Sequence, residues 1–282
     1  MTHATNHNKH PLTSCYALCL AVLLFSIIAP HTAHAVLMTE TQIIINSQDR
    51  TAELTIKNTS KQTSIYRFVW DHIGFNADGE FKRIEDGNFP DGLTPVDDYI
   101  RFAPRRVIAE PGHIQNIRFL ARRTKNMPAG EYRSYFSLLP EELPKEYDPQ
   151  NDGETIGISV RAMVGWKIPV ILRHGETTLT AGYKDVRFDP NGGAKSLGRL
   201  HYTITREGTR SFIGHSELDC NGTKNWLDFK IPFKVYTEST ERSTYIDLGK
   251  SVASCQSLVL RLVAGESDPE YAGQTLATYK IR

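Results

Sequence analysis

Short runs of alternating apolar and polar residues, separated by turn residues, fill most of the chain after residue 35. Alternation with a period of two marks half-buried strands, and many such runs at about 8–12-residue spacing predict β-sandwiches. QIIINS and AELTIKN open the series as two strands. SIYRFVWDHIGF follows, with Ile65, Phe68 and Trp70 as core candidates. Asp78-Gly79, Asp86-Gly87 and Asp91-Gly92 then mark turns, at a spacing that fits no EF-hand. In YIRFAPRRVIAEPGHIQNIRFLARR, Pro111-Gly112 separates two strands; Ile117, Phe119 and Ala121 point one way, and Arg118, Leu120 and Arg122 the other. A turn at Pro128–Gly130 leads into the strand EYRSYFSLLPE, and the Pro/Glu-rich stretch Pro140–Gly153 reads as a surface loop.

The longest alternation is TIGISVRAMVGWKIPVILRHG. Ile156, Ile158, Val160, Ala162, Val164, Trp166, Ile168, Val170 and Leu172 occupy every second position of a seventeen-residue run. Ordinary strands average about 5–6 residues. One strand of this length would span about 55 Å, more than a small domain buries. After Arg173-His174-Gly175 the texture changes, which places the domain boundary there. TLTAGYKDVRFD, RLHYTITRE, SFIGHSELDC, WLDFKIPFKVYT, STYIDLG, SLVLRLVAG and QTLATYKIR are the strands expected beyond it. An all-β chain with residues 36–173 and 174–282 as two sandwiches fits the length.

The first 35 residues stand apart. Lys9 leads into an apolar run from Cys15 to Ile28, and Ala33-His34-Ala35 has the small-x-small pattern of a cleavage site, so residues 1–35 read as an export signal. The run is short for a membrane span, which needs about 20 residues, although an uncleaved anchor is the other reading. Removal would take away one Lys and no acid, turning a formal charge of +1 into zero. A neutral chain argues against nucleic-acid binding. Two cysteines would remain, Cys220 and Cys255, and in an oxidising compartment a lone pair is most simply one disulfide.

Candidate chemistry is sparse. His72, His113, His174, His201 and His215 show no metal-ligand spacing, and no Cys/His cluster exists. No G-x-S-x-G elbow or phosphate-cradling glycine loop occurs. The sequence therefore predicts no enzyme, no metal and no cofactor.

At RFAPRRVIAEPGHIQNIRF followed by PAGEYRSYFSLLPE, the chain resembles the periplasmic chaperones of the chaperone–usher pilus pathway, most closely their archaic branch. IPVILRHG, REGTRSFIG and VYTESTERSTYIDLG extend the likeness over most of residues 36–282. The resemblance implies two immunoglobulin-like domains set at an angle, a periplasmic location, and binding of pilin or fimbrial subunits that lack their last strand. The chaperone lends its own long strand to the subunit and delivers it to an outer-membrane usher, without stable membrane insertion. Ile156, Ile158, Val160, Ala162 and Val164 are then the groove-filling donors, while Trp166, Ile168, Val170 and Leu172 pack at home.

The family also anchors the subunit's C-terminal carboxylate with two cations. The matching positions here hold Gln42 and Pro169, so Lys167 is the substitute, with Arg122, Arg123, Arg105 or Arg106 as the second charge. Arg118, with Glu131 as partner, is the position implied for a charge network that fixes the domain angle. The competing reading is a structural or adhesive immunoglobulin-like component of the fibre itself. A pilin should carry an N-terminal donor extension and lack its own last strand, whereas this chain offers QIIINS as a first strand and owns a long late one.

Overall fold

A computed structural model describes residues 36–76, 78–85, 87–141, 164–193 and 197–282. In chain order the first part forms β1 (Val36–Met38), β2 (Ile43–Ile45), β3 (Thr51–Asn58), β4 (Ser64–Asp71), β5 (Ile73–Phe75), β6 (Phe81–Arg83), β7 (Ile100–Ala103), β8 (Arg106–Ala109), β9 (Ile114–Ala121), β10 (Gly130–Glu141) and β11 (Trp166–His174). The second part forms β12 (Leu179–Asp189), β13 (Arg199–Gly208), β14 (Phe212–Cys220), β15 (Ile231–Val235), β16 (Glu241–Asp247), β17 (Leu258–Ala264) and β18 (Thr275–Lys280). The molecule is all-β, as the alternation predicts.

In the first sandwich, a sheet in the order β1-β3-β9-β7 faces one in the order β2-β11-β10-β4-β8. The chain changes sheets between β1, which pairs with β3, and β2, which runs parallel to β11. Buried alternate residues of both sheets make the core: Leu54, Phe68, Ile117, Phe119, Phe136, Leu138, Val170 and Leu172. The rings of Phe102 and Phe119 meet Phe136 edge-on at centroid distances of 4.9 and 5.0 Å, a geometry that adds to the area they bury. On β9, Ile117 and Phe119 face inward while Arg118 and Leu120 face solvent, as the sequence indicates. The part of YIRFAPRRVIAEPGHIQNIRFLARR before Pro111-Gly112, read as one strand, is two, β7 and β8, which join opposite sheets on either side of Pro104.

In the second sandwich, the β12-β13-β16 sheet packs on β15-β14-β17-β18 around Tyr202, Ile204, Phe212, Leu218, Leu260 and Leu262. Cys220, at the end of β14, is disulfide-bonded to Cys255. A loop of 35 residues closed this way contributes about 3–4 kcal/mol. WLDFKIPFKVYT is strand only from Ile231 to Val235. Its start is a turn with Asn225 and Asp228 at positive φ, which drops Leu227 into the core without strand pairing.

A third, smaller cluster joins the two sandwiches: Ile171 of β11, Ile213 of β14 and Tyr236, with Ile44 and Phe75 packed against them. Two glycines permit close approach here. A Cβ on Gly92 (φ 87°) would meet the Thr237 carbonyl oxygen at 2.4 Å, and one on Gly79 (φ 79°) would meet the Arg242 guanidinium at 2.3 Å. Both also need the left-handed backbone that glycine adopts without cost.

Candidate functional site: an open strand edge beside the domain junction

β11 pairs with β10 along its whole length, from Trp166 opposite Leu138 to His174 opposite Gly130. On its other side β2 covers only Val170–Leu172. Among the described residues, Trp166–Pro169 therefore has an unpaired edge. Pro169 suits such a place, since it has no N–H to donate to a neighbour. Ile168, Val170 and Leu172 face the home core, as expected. Trp166 does not: it is 45% exposed, and Val164 just before the strand is 64% exposed. The described apolar positions of the alternation before Ile168 thus face solvent. The remaining expected donors, Ile156, Ile158, Val160 and Ala162, lie outside the described residues.

Lys167 projects from the opposite face of β11 and bonds to the Asp71 carboxylate on β4. Asp71 also receives Arg83 Nε at 3.4 Å and the His72 backbone N–H at 3.0 Å. Burial alone would raise the Asp71 pKa, but the hydrogen bond and charge of Lys167, aided by Arg83, hold it below the ordinary carboxylate value. The cation gathered beside Lys167 is thus Arg83, from the small β5–β6 hairpin, and none of the four arginines singled out in the sequence. Arg123 caps the backbone carbonyls of Asp49 and Asn46 at 2.5 Å each. Arg122 is exposed at the far end of β9. Arg105 lies over the Phe102 ring at 5.2 Å. Arg106 bonds Glu141 at 2.7 Å, on the same sheet face as Lys167 but three strands away. Gln42 donates to Ser267 Oγ at 2.5 Å across the two sandwiches.

The expected pair of Arg118 with Glu131 is not formed. Arg118 stands directly opposite Glu53 across β3 and β9 and bonds it at 2.8 Å, on the solvent face of the first sheet. Glu131 begins β10 in the other sheet, opposite Arg173. There it accepts Arg173 Nε at 3.1 Å and the Ser211 backbone N–H and hydroxyl. Arg173 also grips Asp268 with both terminal nitrogens at 3.2 Å, and Asp268 accepts Arg210 at 2.7 Å. All four charged side chains are at most 1% exposed. Arg210 also bonds the half-exposed Glu270 carboxylate, so each buried guanidinium has two carboxylate partners, which is what allows such groups to stay charged without water.

A second junction contact surrounds Arg133. It pairs with Glu238 at 2.6 Å and lies 3.8 Å from the Tyr236 ring centre. Glu238 also accepts the Phe75 backbone N–H at 3.0 Å, and Ser239 donates to the Phe75 carbonyl at 3.2 Å. Burial, with the charge of Arg133 as a smaller cause, pushes Lys234 down to about 8. The folded state thus binds fewer protons than the unfolded chain between that value and the ordinary 10.5, so stability should rise with pH through this window. Denaturant titrations at pH 7.5 and 9.5 should show the rise, and Lys234→Met should reduce it.

Arg173, Asp268, Arg210, Arg133, Glu238 and Arg83 are functional candidates that sequence reasoning missed. Arg173 had a signal: it continues the outward phase of Lys167, Pro169 and Ile171 into the domain boundary. Asp268 and Glu238 sit in loops, where no periodicity points to a partner.

Fold and site together describe a two-sandwich β protein with a buried charge network at the junction and an open strand edge beside it. No protein-family model matches the chain, and no curated protein matches it. Among solved structures, it is similar to the YadV chaperone (10% identity, 87% of this chain and 99% of that one, TM-score 0.44). It is also similar to the E. coli chaperone DraB (11% identity, 88% and 96%, TM-score 0.46). A third is the CsuC–CsuE chaperone–tip subunit pre-assembly complex of archaic chaperone–usher Csu pili from Acinetobacter baumannii (15% identity, 88% and 97%, TM-score 0.43).

Proposed function

We propose that this protein is a periplasmic chaperone for pilin-like subunits, which completes a client's unfinished sandwich with its own strand and passes the client to an outer-membrane usher. The observation that carries the reading is the β11 edge. A strand that is paired on one side, open on the other and preceded in sequence by an apolar alternation is an aggregation hazard unless it has a partner. The first four residues of β11 are open to a partner, because β2 reaches only Val170–Leu172. A client strand added along the edge would satisfy the backbone, and Ile156, Ile158, Val160, Ala162 and Val164 would fill its groove. Lys167 is the proposed anchor for the client's terminal carboxylate, with Arg83 as the nearest second cation. The buried network of Arg173, Glu131, Asp268 and Arg210 takes the role of holding the two sandwiches in one arrangement. The domains are taken as residues 36–173 and 174–282, after an export signal at 1–35.

Co-expression with pilin-like subunits encoded beside this gene should yield a stoichiometric complex on purification. Lys167→Ala should weaken capture about tenfold, measured by titration of the purified subunit, with little change in the unfolding midpoint. Failure of every such subunit to co-purify would end the chaperone reading; unchanged capture by Lys167→Ala would move the anchor elsewhere.

A further inference from the structure

The outer face of the five-stranded sheet carries a repeated arrangement. Arg67 on β4 and Arg106 on β8 share the Glu141 carboxylate, with Nε atoms at 3.0 and 2.7 Å from its two oxygens. Farther along β4, Lys167 and Arg83 share Asp71 in the same manner. Each carboxylate thus lies between two cations, and each trio keeps one positive charge. The acids are the covered members: Glu141 and Asp71 are 28% and 9% exposed, against 56% and 52% for Arg67 and Arg106. What solvent meets is the guanidinium groups, net charge +2 over the six side chains. Arg67 and Asp71 are four residues apart on one strand face, so the trios are about 13 Å apart.

The arrangement differs from an ordinary surface ion pair, which balances its own charge and contributes little. Here an excess cation is held in place at each end by a carboxylate that is already saturated. A pre-ordered cation loses less conformational freedom when a further anion arrives. The face is also continuous with the open β11 edge, because Lys167 belongs to both.

Resting on the chaperone reading above, we propose that this face receives an acidic segment of the bound client, in which a side-chain carboxylate about 13 Å from the terminal carboxylate meets Arg67 and Arg106 while the terminus itself meets Lys167 and Arg83. Such a contact would act chiefly on the rate of encounter and on the choice among clients, the two properties that charge complementarity controls. It would also weaken with salt, since the groups are exposed and the screening length is about 10 Å at 0.1 M.

The test uses the full chain and the pilin-like subunit that co-purifies with it, with affinity measured from 50 to 500 mM NaCl. The double variant Arg67→Gln/Arg106→Gln should bind the subunit about tenfold more weakly at 50 mM and show a flatter salt dependence. Glu141→Gln, which removes the competing carboxylate and raises the net charge of the face by one, should bind more tightly, because the added charge outweighs the lost pre-ordering. Opposite signs from one cluster cannot arise from damage to the fold. Arg118→Gln, on the face of the other sheet, should match the parent. Equal affinity for the parent and the double variant across the salt range would overturn the acidic-segment contact while leaving the chaperone reading intact. So would weakening by Arg118→Gln of the same size, which would indicate unspecific charge attraction. If the unmodified protein captures no subunit, the chaperone reading fails first and the inference with it.

Discussion

Changing Ile158 and Val160 together to aspartate is expected to abolish recovery of a client while the protein alone stays folded. Each side chain, buried in a client's groove, would contribute about 1.5–3 kcal/mol. Losing both removes about 3–6 kcal/mol of binding, or two to four powers of ten in affinity. Burying two carboxylates in an apolar groove adds to that loss. The home fold should not notice, because its described core ends at Ile168 on this strand and already leaves Trp166 half in solvent. Pull-down of the subunit together with an unfolding curve of the free variant separates the two effects. A variant that captures the client as well as the parent would remove these residues from the contact. A variant that no longer folds would show that they belong to the home core.

Asp268→Ala carries the second large effect. Asp268 is the only carboxylate that bonds both Arg173 and Arg210 among the described residues, and its removal leaves Arg173 with Glu131 alone and Arg210 with the half-exposed Glu270 alone. Breaking a buried ion pair on one side typically costs 3–5 kcal/mol, much of it from the charge left behind. The unfolding free energy should fall by about that amount, and small-angle scattering should show a broader spread of domain arrangements. Glu53→Ala makes the contrast. It removes the exposed partner of Arg118, and the change should stay within about 0.5 kcal/mol. If the two variants were equally stable, the Asp268 network would carry no energy, and the apolar contact of Ile171, Ile213 and Tyr236 together with the Arg133–Glu238 pair would have to hold the domains.

These two cases show where the sequence was legible. Period-two alternation identified the strands and their inward residues, because burial on one face imposes that pattern directly. Ile117 and Phe119 were placed correctly this way; of the four residues that the resemblance placed in the home core, Ile168, Val170 and Leu172 lie there and Trp166 does not. The pairing of charges was not legible, because it depends on which strands lie side by side. Arg118 and Arg173 are both outward-facing arginines. Sheet order alone puts one opposite Glu53 in solvent and the other opposite Glu131 under the second sandwich. Arg83 was missed for a related reason, since the β5–β6 hairpin that brings it to Asp71 has only three residues per strand and little periodicity to detect. β10 shows the limit from the other side. Arg133 and Ser134 are about as buried as Phe136 and Leu138, because Glu238 of the second sandwich pairs with one and Asp97 with the other.

The central claim is that residues 156–164 become a strand of another protein's sheet. Amide hydrogen exchange on the free protein and on its complex with a co-purified subunit tests this most directly. Strand pairing should protect the amides of this segment in the complex, and in alternation, because an edge strand directs every second N–H to its new neighbour. The account predicts protection confined to alternate positions of 156–164 and extending to the open edge at Trp166–Ile168. Exchange in the complex as fast as in the free protein would contradict it.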